Sequence, residues 1–400
     1  MDNNRRNIII LFFTLIVVML GFGMIIPILP FYIKSFGASG SALGALMATY
    51  GALQFLFAPV WGSLSDRYGR KPILMIGVLG NALAQLFFGL STELWMLFVA
   101  RALAGILSSA TLPTAMAYIG DSTSKEERGG GMGIIGAAMG IGMVIGPGLG
   151  GWLGGKSLAT PFFLASGLSM LAFALIFLVL PESSRPQGAQ SRKVSGPQFN
   201  RLWHALTGPL GILFLMAFLL TFGLTNFEGV FGLYAADRYH YGTREVGLLL
   251  VTIGVISAIV QGALTGPLAR RWGEVNVIRS SLIGSAIGFI LMTQAQTFLQ
   301  VLCTVCFFVL SNALLNPAVA ALISKRTTRG QGISMGLNNS FLSLGRIAGP
   351  LWAGMVFDVN MNLPYLSGAA IMAVGFLVSV FALTQGQSGP AEFSTPVSGD

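Results

Sequence analysis

G-S-L-S-D-R-Y-G-R-K-P, residues Gly62–Pro72, is a basic knot holding Asp66, Arg67, Arg70 and Lys71 between two long apolar segments. Apolar runs flank it at 41–61 and 73–90. A faded copy, G-P-L-A-R-R-W-G-E, stands 204 residues later (266 less 62) at Gly266–Glu274. A soluble chain can carry one such loop anywhere. Hydrocarbon-grade flanks and a second copy predict a repeated, membrane-spanning architecture instead.

Composition agrees. The 400 residues are 54% hydrophobic and only 9% charged, with a mean hydropathy of +0.76, whereas soluble domains carry about 25% charged residues. A spanning helix needs roughly 20 mostly apolar residues. Such runs fall at 8–29, 41–61, 73–90, 94–119, 131–154 and 161–181, and again at 210–234, 247–267, 275–295, 297–323, 332–356 and 364–384. The chain is therefore read as an all-α membrane protein of 12 helices in two pseudo-symmetric bundles. Residues 1–181 form the first six-helix bundle and 210–384 the second. The Pro-, Ser- and Arg-rich stretch 182–209 is a cytoplasmic linker, and the Gly/Ser/Pro tail 385–400 is disordered. The basic N-terminus lacks a small-residue cleavage site before the apolar run continues, so the first helix is read as retained.

Lys and Arg set the orientation. With the N-terminus inside, one side collects Arg5, Arg6, Arg67, Arg70, Lys71, Lys125, Arg128, Arg185, Arg192, Lys193, Arg201, Arg270, Arg271, Arg279, Lys325, Arg326 and Arg329. The other side holds Lys34, Lys156, Arg238 and Arg244. Both termini and the linker are thus expected in the cytoplasm. The net charge of +9 is spent on topology, and no nucleic-acid partner is expected.

Further pairs reinforce the repeat: Pro113 with Pro317, and Gly146-Pro147 with Gly349-Pro350. Two parallel six-helix repeats around a midplane site describe an alternating-access transporter. Glu228 is the one carboxylate deep inside an apolar run, and an ionisable group there is a functional candidate. Thr221, Thr225, Glu228 and Gly232 share one helical face, expected to look into a cavity. Arg101 shares a face with Gly105 and Ser108, and Arg346 one with Asn339, Ser343 and Pro350. His204 and His240 lie outside the runs, and no nucleophile–base or metal spacing occurs in them, so neither an enzyme, a metal nor a cofactor is expected. Cys303-x-x-Cys306 reads as two small side chains compatible with lipid rather than as a redox pair.

These motifs resemble those of the major facilitator superfamily. Gly62–Lys71, with Gly69, is similar to its loop signature, and Arg101-x-x-x-Gly105 to its fourth-helix signature. Gly136-A-A-M-Gly140-I-G-M-V-I-Gly146-Pro147-G-L-Gly150-Gly151 is similar to the fifth-helix signature of drug:proton antiporters, and Gly21-F-Gly23-M-I-I-Pro27-I-L-Pro30 to the first-helix one. Phe222-G-L-T-N-F-Glu228, Leu233-Y-A-A-Asp237, Gly336-L-N-N-S-F and Gly349-P-L-W-A-G-M-V-F-Asp358-V resemble the NorA/Bmr-like multidrug pumps of Gram-positive bacteria.

The resemblance implies a proton-coupled exporter of amphipathic, often cationic compounds, monomeric in a bacterial cell membrane. It assigns proton coupling to Glu228 and Arg101, and places Met19, Ile26, Gln54, Met139 and Met143 along the substrate cavity. Thr225, Asn312, Asn316, Asn339 and Arg346 join that cavity by position. Asp66 is expected to meet the start of the eleventh helix near Gly330–Gly332 and latch the cytoplasmic mouth. Two features depart from the group. Ala313 replaces its acid in the tenth helix, and Arg346 adds a second interior cation. Both open the alternative of a flippase or exporter of an endogenous lipid, glycolipid or metabolite.

Overall fold

The computed structural model describes residues 3–123, 128–183, 199–327 and 330–384. The expected tail, most of the linker (184–198), and Lys125, Arg185, Arg192, Lys193 and Arg329 of the topology argument lie outside these. In the first half, α1 is Asn3–Ser35, α2 Gly40–Tyr68, α3 Arg70–Gly89, α4 Leu94–Leu107, α5 Thr111–Ser122, α6 Arg128–Gly154 and α7 Thr160–Val179. A short α8, Phe199–Thr207, falls within the stretch read as linker. The second half holds α9 Gly211–Tyr239, α10 Thr243–Ile259, α11 Thr265–Trp272, α12 Glu274–Gln294, α13 Phe298–Ala313, α14 Leu315–Arg326, α15 Gln331–Val359 and α16 Leu363–Thr384.

Among the described residues, 11 helices are long and apolar enough to cross a membrane. The remaining long helix, α15, is diluted by Asn338, Asn339, Ser343 and Arg346, which lower its hydropathy without shortening it.

Two spans read as single runs are interrupted. A 3-10 turn at Ser108–Ala110 separates α4 from α5, and α13 breaks from α14 at Leu314. Each break lies just before a proline, Pro113 or Pro317. Proline lacks an N–H and crowds the carbonyl four residues earlier, so the helix tightens or breaks there. A π turn at Val260–Leu264 similarly joins α10 to α11.

The chain divides into two compact units, Met1–Pro197 with Glu228–Val255, and Gln198–Phe227 with Ile256–Asp400. The first has an apolar core from α1, α3, α5, α6 and α7, including Leu11, Leu15, Leu74, Val78, Tyr118, Ile119, Ala138 and Ile176. Its α9–α10 segment packs on α1 and α6. Lys34 pairs with Asp237, and Thr243 Oγ1 donates to Gly151 O at 2.9 Å.

The Gly62–Pro72 loop is a chain reversal at Gly69, whose φ of +111° favours glycine. Arg70 Nη1 lies 2.5 Å from Asp66 Oδ1, and Arg70 Nε donates to Asp121 at 2.8 Å. Glu182 Oε1 accepts from the backbone N–H groups of Arg70 (2.7 Å) and Lys71 (3.2 Å). It thereby satisfies orphan donors at the start of α3 with an anion where the helix dipole favours one.

The second copy keeps the geometry and inverts the charge. Gly273 has φ +76°, and Glu274 pairs with Lys325 at 2.5 Å. A shift of 204 carries Asp66, Arg70 and Asp121 onto Arg270, Glu274 and Lys325. The Arg70 and Asp121 side chains are only 13% and 16% exposed, so breaking their pair leaves a charge poorly solvated. Arg70→Ala is expected to cost about 2 kcal/mol, below the figure for fully buried pairs. The triple change Asp66→Arg, Arg70→Glu, Asp121→Lys is expected to regain most of it. Thermal unfolding in detergent measures both; no recovery in the triple variant would refute the equivalence.

Candidate functional site

Arg101 sits on α4 in the first unit and is 3% exposed. Its guanidinium lies 5.4 Å from the Tyr50 ring centroid and 5.6 Å from that of Phe88. Gly105, one turn on, lets α2 come close: a β-carbon there would sit 2.8 Å from Leu53 Cβ and 3.0 Å from Tyr50 O. The Arg101-x-x-x-Gly105 motif thus supplies both the cation and the small residue that brings Tyr50 to it. Arg101 makes no ion pair in this structure, with Glu228 or any other described carboxylate. An unpaired cation at membrane depth is costly unless its surroundings solvate it.

Those surroundings are partly polar. Asn81, Gln85 and Phe88 fall at i, i+4 and i+7 on α3, and all three line a small cavity with Arg101, Ser108, Tyr50 and Met19. Asn81 Nδ2 donates to Ser169 Oγ at 2.9 Å, and Ser108 Oγ to Asn81 Oδ1 at 3.4 Å. Gln54 Nε2 donates to the Tyr50 hydroxyl at 3.2 Å. Reading the sequence missed Asn81, Gln85, Tyr50 and Phe88. The polar pair four residues apart in an otherwise apolar run was the available signal.

Glu228 is half-buried on α9. Every other described carboxylate lies outside the helices or within two residues of a helix end. The stripe that shares its face differs from expectation. Thr221 and Thr225 donate to Ala217 O (3.1 Å) and Thr221 O (2.8 Å), and Thr225 also to Gly345 O on α15 at 3.1 Å. A β-carbon on Gly232 would sit 2.5 Å from Pro30 Cγ on α1. Threonine hydroxyls served by backbone carbonyls, and a glycine against proline, make this a packing face at those three positions.

Among the other expected cavity residues, Met19, Ile26, Gln54, Met139 and Met143 are half-buried in the first unit. In the second, Asn312 is buried, whereas Asn316, Asn339 and Arg346 are exposed. On α6 the close contacts fall on Gly146 of the motif but not on Gly136 or Gly140. Gly136 and Gly140 have open space where a side chain would go. Gly142, Gly146 and Gly150, spaced one turn apart, meet α1 at Met19, Gly23 and Met24. Gly148 and Gly151 meet α10 at Val251 and Gly247. At the loop, Asp66 is engaged by Arg70, and Arg67 lies over the Tyr68 ring.

A sequence profile described as Major Facilitator Superfamily matches residues 11–350, with a second match at 213–396. The chain belongs to this superfamily. Superfamily relatives sharpen the likeness. It is 33% identical over 378 residues to Multidrug resistance protein 2 of Bacillus subtilis, covering 93% of this chain and 94% of that one. It is 26% identical over 375 residues to the Quinolone resistance protein NorA of Staphylococcus aureus, covering 94% and 96%. The crystal structure of a bacterial homologue of the human lysosomal transporter Spinster, in an inward-facing, unoccupied conformation, superposes with a TM-score of 0.76 at 15% identity, covering 96% of each chain. This last likeness speaks to fold alone. The protein is a multi-pass membrane transporter of the superfamily, not an enzyme.

Proposed function

We propose that the protein is a proton-coupled multidrug exporter of a bacterial plasma membrane, with its termini in the cytoplasm. The observation that carries this reading is Glu228, the one described carboxylate away from a helix end. An ionisable side chain within a spanning helix is costly to keep there and is the candidate for the group that takes and releases a proton during each cycle. Glu228 binds either a proton or a cationic, amphipathic compound, and the inward proton gradient drives exchange. Arg101 sets the electrostatic background against which Glu228 titrates. The half-buried methionines Met19, Met139 and Met143 supply flexible, polarizable contacts suited to varied ligands. Near-full-length similarity to proteins named for multidrug and quinolone resistance supports the substrate class.

Purified protein in liposomes with an imposed pH gradient tests the proposal against ethidium, a fluoroquinolone and a labelled glycolipid. Gradient-dependent movement of the first two is expected. Glycolipid translocation without gradient-dependent drug movement would overturn the reading in favour of a flippase.

A further inference from the structure

Arg101 is 3% exposed and has no ion-pair partner among the described residues. Its guanidinium lies instead over two rings, Tyr50 of α2 at 5.4 Å and Phe88 of α3 at 5.6 Å from the centroids. Both are within the roughly 6 Å at which a ring attracts a cation. We propose that Tyr50 is the positioning residue of Arg101: its ring stands where a counter-ion would and holds the cation through a cation–π contact. The consequence for transport rests on the proton-coupling reading of Arg101; the contact itself does not.

A ring and a carboxylate serve a buried cation differently. A carboxylate cancels the charge. A ring attracts it through a quadrupole and carries no net charge of its own, so the positive charge is held in place and still acts on groups beyond it. A cation that sets the background for a titrating acid needs that property. The attraction is also strongest where water is excluded.

The two rings are fixed in different ways. Phe88 is 0% exposed and stacks on Phe162 with centroids 5.1 Å apart, so core packing fixes it with or without a cation. Tyr50 is half-buried and braced at both ends. Gln54, one turn on, donates from Nε2 to the Tyr50 hydroxyl at 3.2 Å. Phe22 of α1 sets its ring against that of Tyr50 at 5.4 Å.

The internal repeat loses ring and cation together. Gly80 meets Leu107 in the first half, and Gly284, 204 residues on, meets Ser311. In that register Arg101 becomes Val305. Position 50 becomes Gly254 by the same count, or Ile253 when the extra residue of the π turn at Val260–Leu264 is allowed for. Neither carries a ring, so the second half packs without the pair.

Fluorination tests the contact while keeping the shape. Phe at position 50, bare and then with one, two and three ring fluorines, changes little in volume while its quadrupole weakens step by step. Tyr50→Phe sets the baseline for the full chain in detergent. The thermal midpoint is expected to fall with each fluorine, by roughly 4 °C over the series. In an Arg101→Met background the series should be flat, which separates the cation from the Phe22 contact; Arg101→Leu repeats the control should the methionine variant fail to fold. A midpoint that ignores fluorine, or an equal fall without Arg101, would overturn the proposal. Ethidium transport in liposomes under an imposed pH gradient reads the consequence separately. Its initial rate is expected to drop about tenfold across the series. A falling midpoint with an unmoved rate keeps Tyr50 as the holder of Arg101 and removes Arg101 from proton coupling.

Discussion

Gly151→Leu is expected to reduce transport by about tenfold or more in a protein that still reaches the membrane. Gly151 of α6 meets Gly247 of α10, and a β-carbon would lie 2.9 Å from Gly247 Cα and closer still to Thr243 O. These neighbours are backbone, so no side chain can swing aside, and the two helices must separate. Separation also breaks the Thr243–Gly151 hydrogen bond. Overpacking of this kind costs about 1–3 kcal/mol, and each 1.4 kcal/mol is tenfold in the population of the packed state. A cycle that passes through this contact slows accordingly. Gly151→Ala should be affected less, since its single β-carbon adds the same clash without the further branch. Gly133→Leu, on the same helix with open space around it, serves as the control. Ethidium efflux normalised to protein level measures the series; native turnover in Gly151→Leu would show that this contact is dispensable.

Glu228→Gln is expected to abolish gradient-driven accumulation while leaving the helix packing intact. Glutamine matches the shape of the acid but cannot exchange a proton. For one-for-one exchange of a proton with a cationic drug, one pH unit is worth about 1.4 kcal/mol, or roughly tenfold accumulation. The variant should fall from that ratio to unity. Liposome accumulation of ethidium under an imposed gradient gives the number, and a native size-exclusion profile shows that folding is retained. Accumulation at the native ratio in Glu228→Gln would remove this residue from the coupling mechanism.

Much of this was legible in the chain before any coordinates. Hydropathy placed the long helices because insertion in a bilayer depends on a local sum over roughly 20 residues. The copied loop at Gly62 and Gly266, and the pairs Pro113 with Pro317 and Gly146 with Gly349, announced the repeat. Glu228 stood out because a carboxylate in an apolar run needs no neighbour to be conspicuous.

What the chain alone could not decide is which faces meet. Thr225 looked like a cavity residue and proved to be bonded to α15. Of the motif glycines on α6, Gly136 and Gly140 face open space, while the contacts belong to Gly142, Gly146, Gly148, Gly150 and Gly151. The helical period marks a face but not its partner, and small residues serve a close contact and an open space equally well. The same holds for charge. Asp66, Arg70 and Asp121 and their inverted copies Arg270, Glu274 and Lys325 lie up to 55 residues apart (121 less 66), and only folding brings the outer members together. The company Arg101 keeps is likewise tertiary: Tyr50 from α2, with Asn81, Gln85 and Phe88 from α3. Sequence placed the long apolar helices, because transfer into hydrocarbon and helix geometry act locally. Tertiary structure decided the solvation of the buried cation and the contacts of each glycine, because these depend on side chains that distant segments bring together.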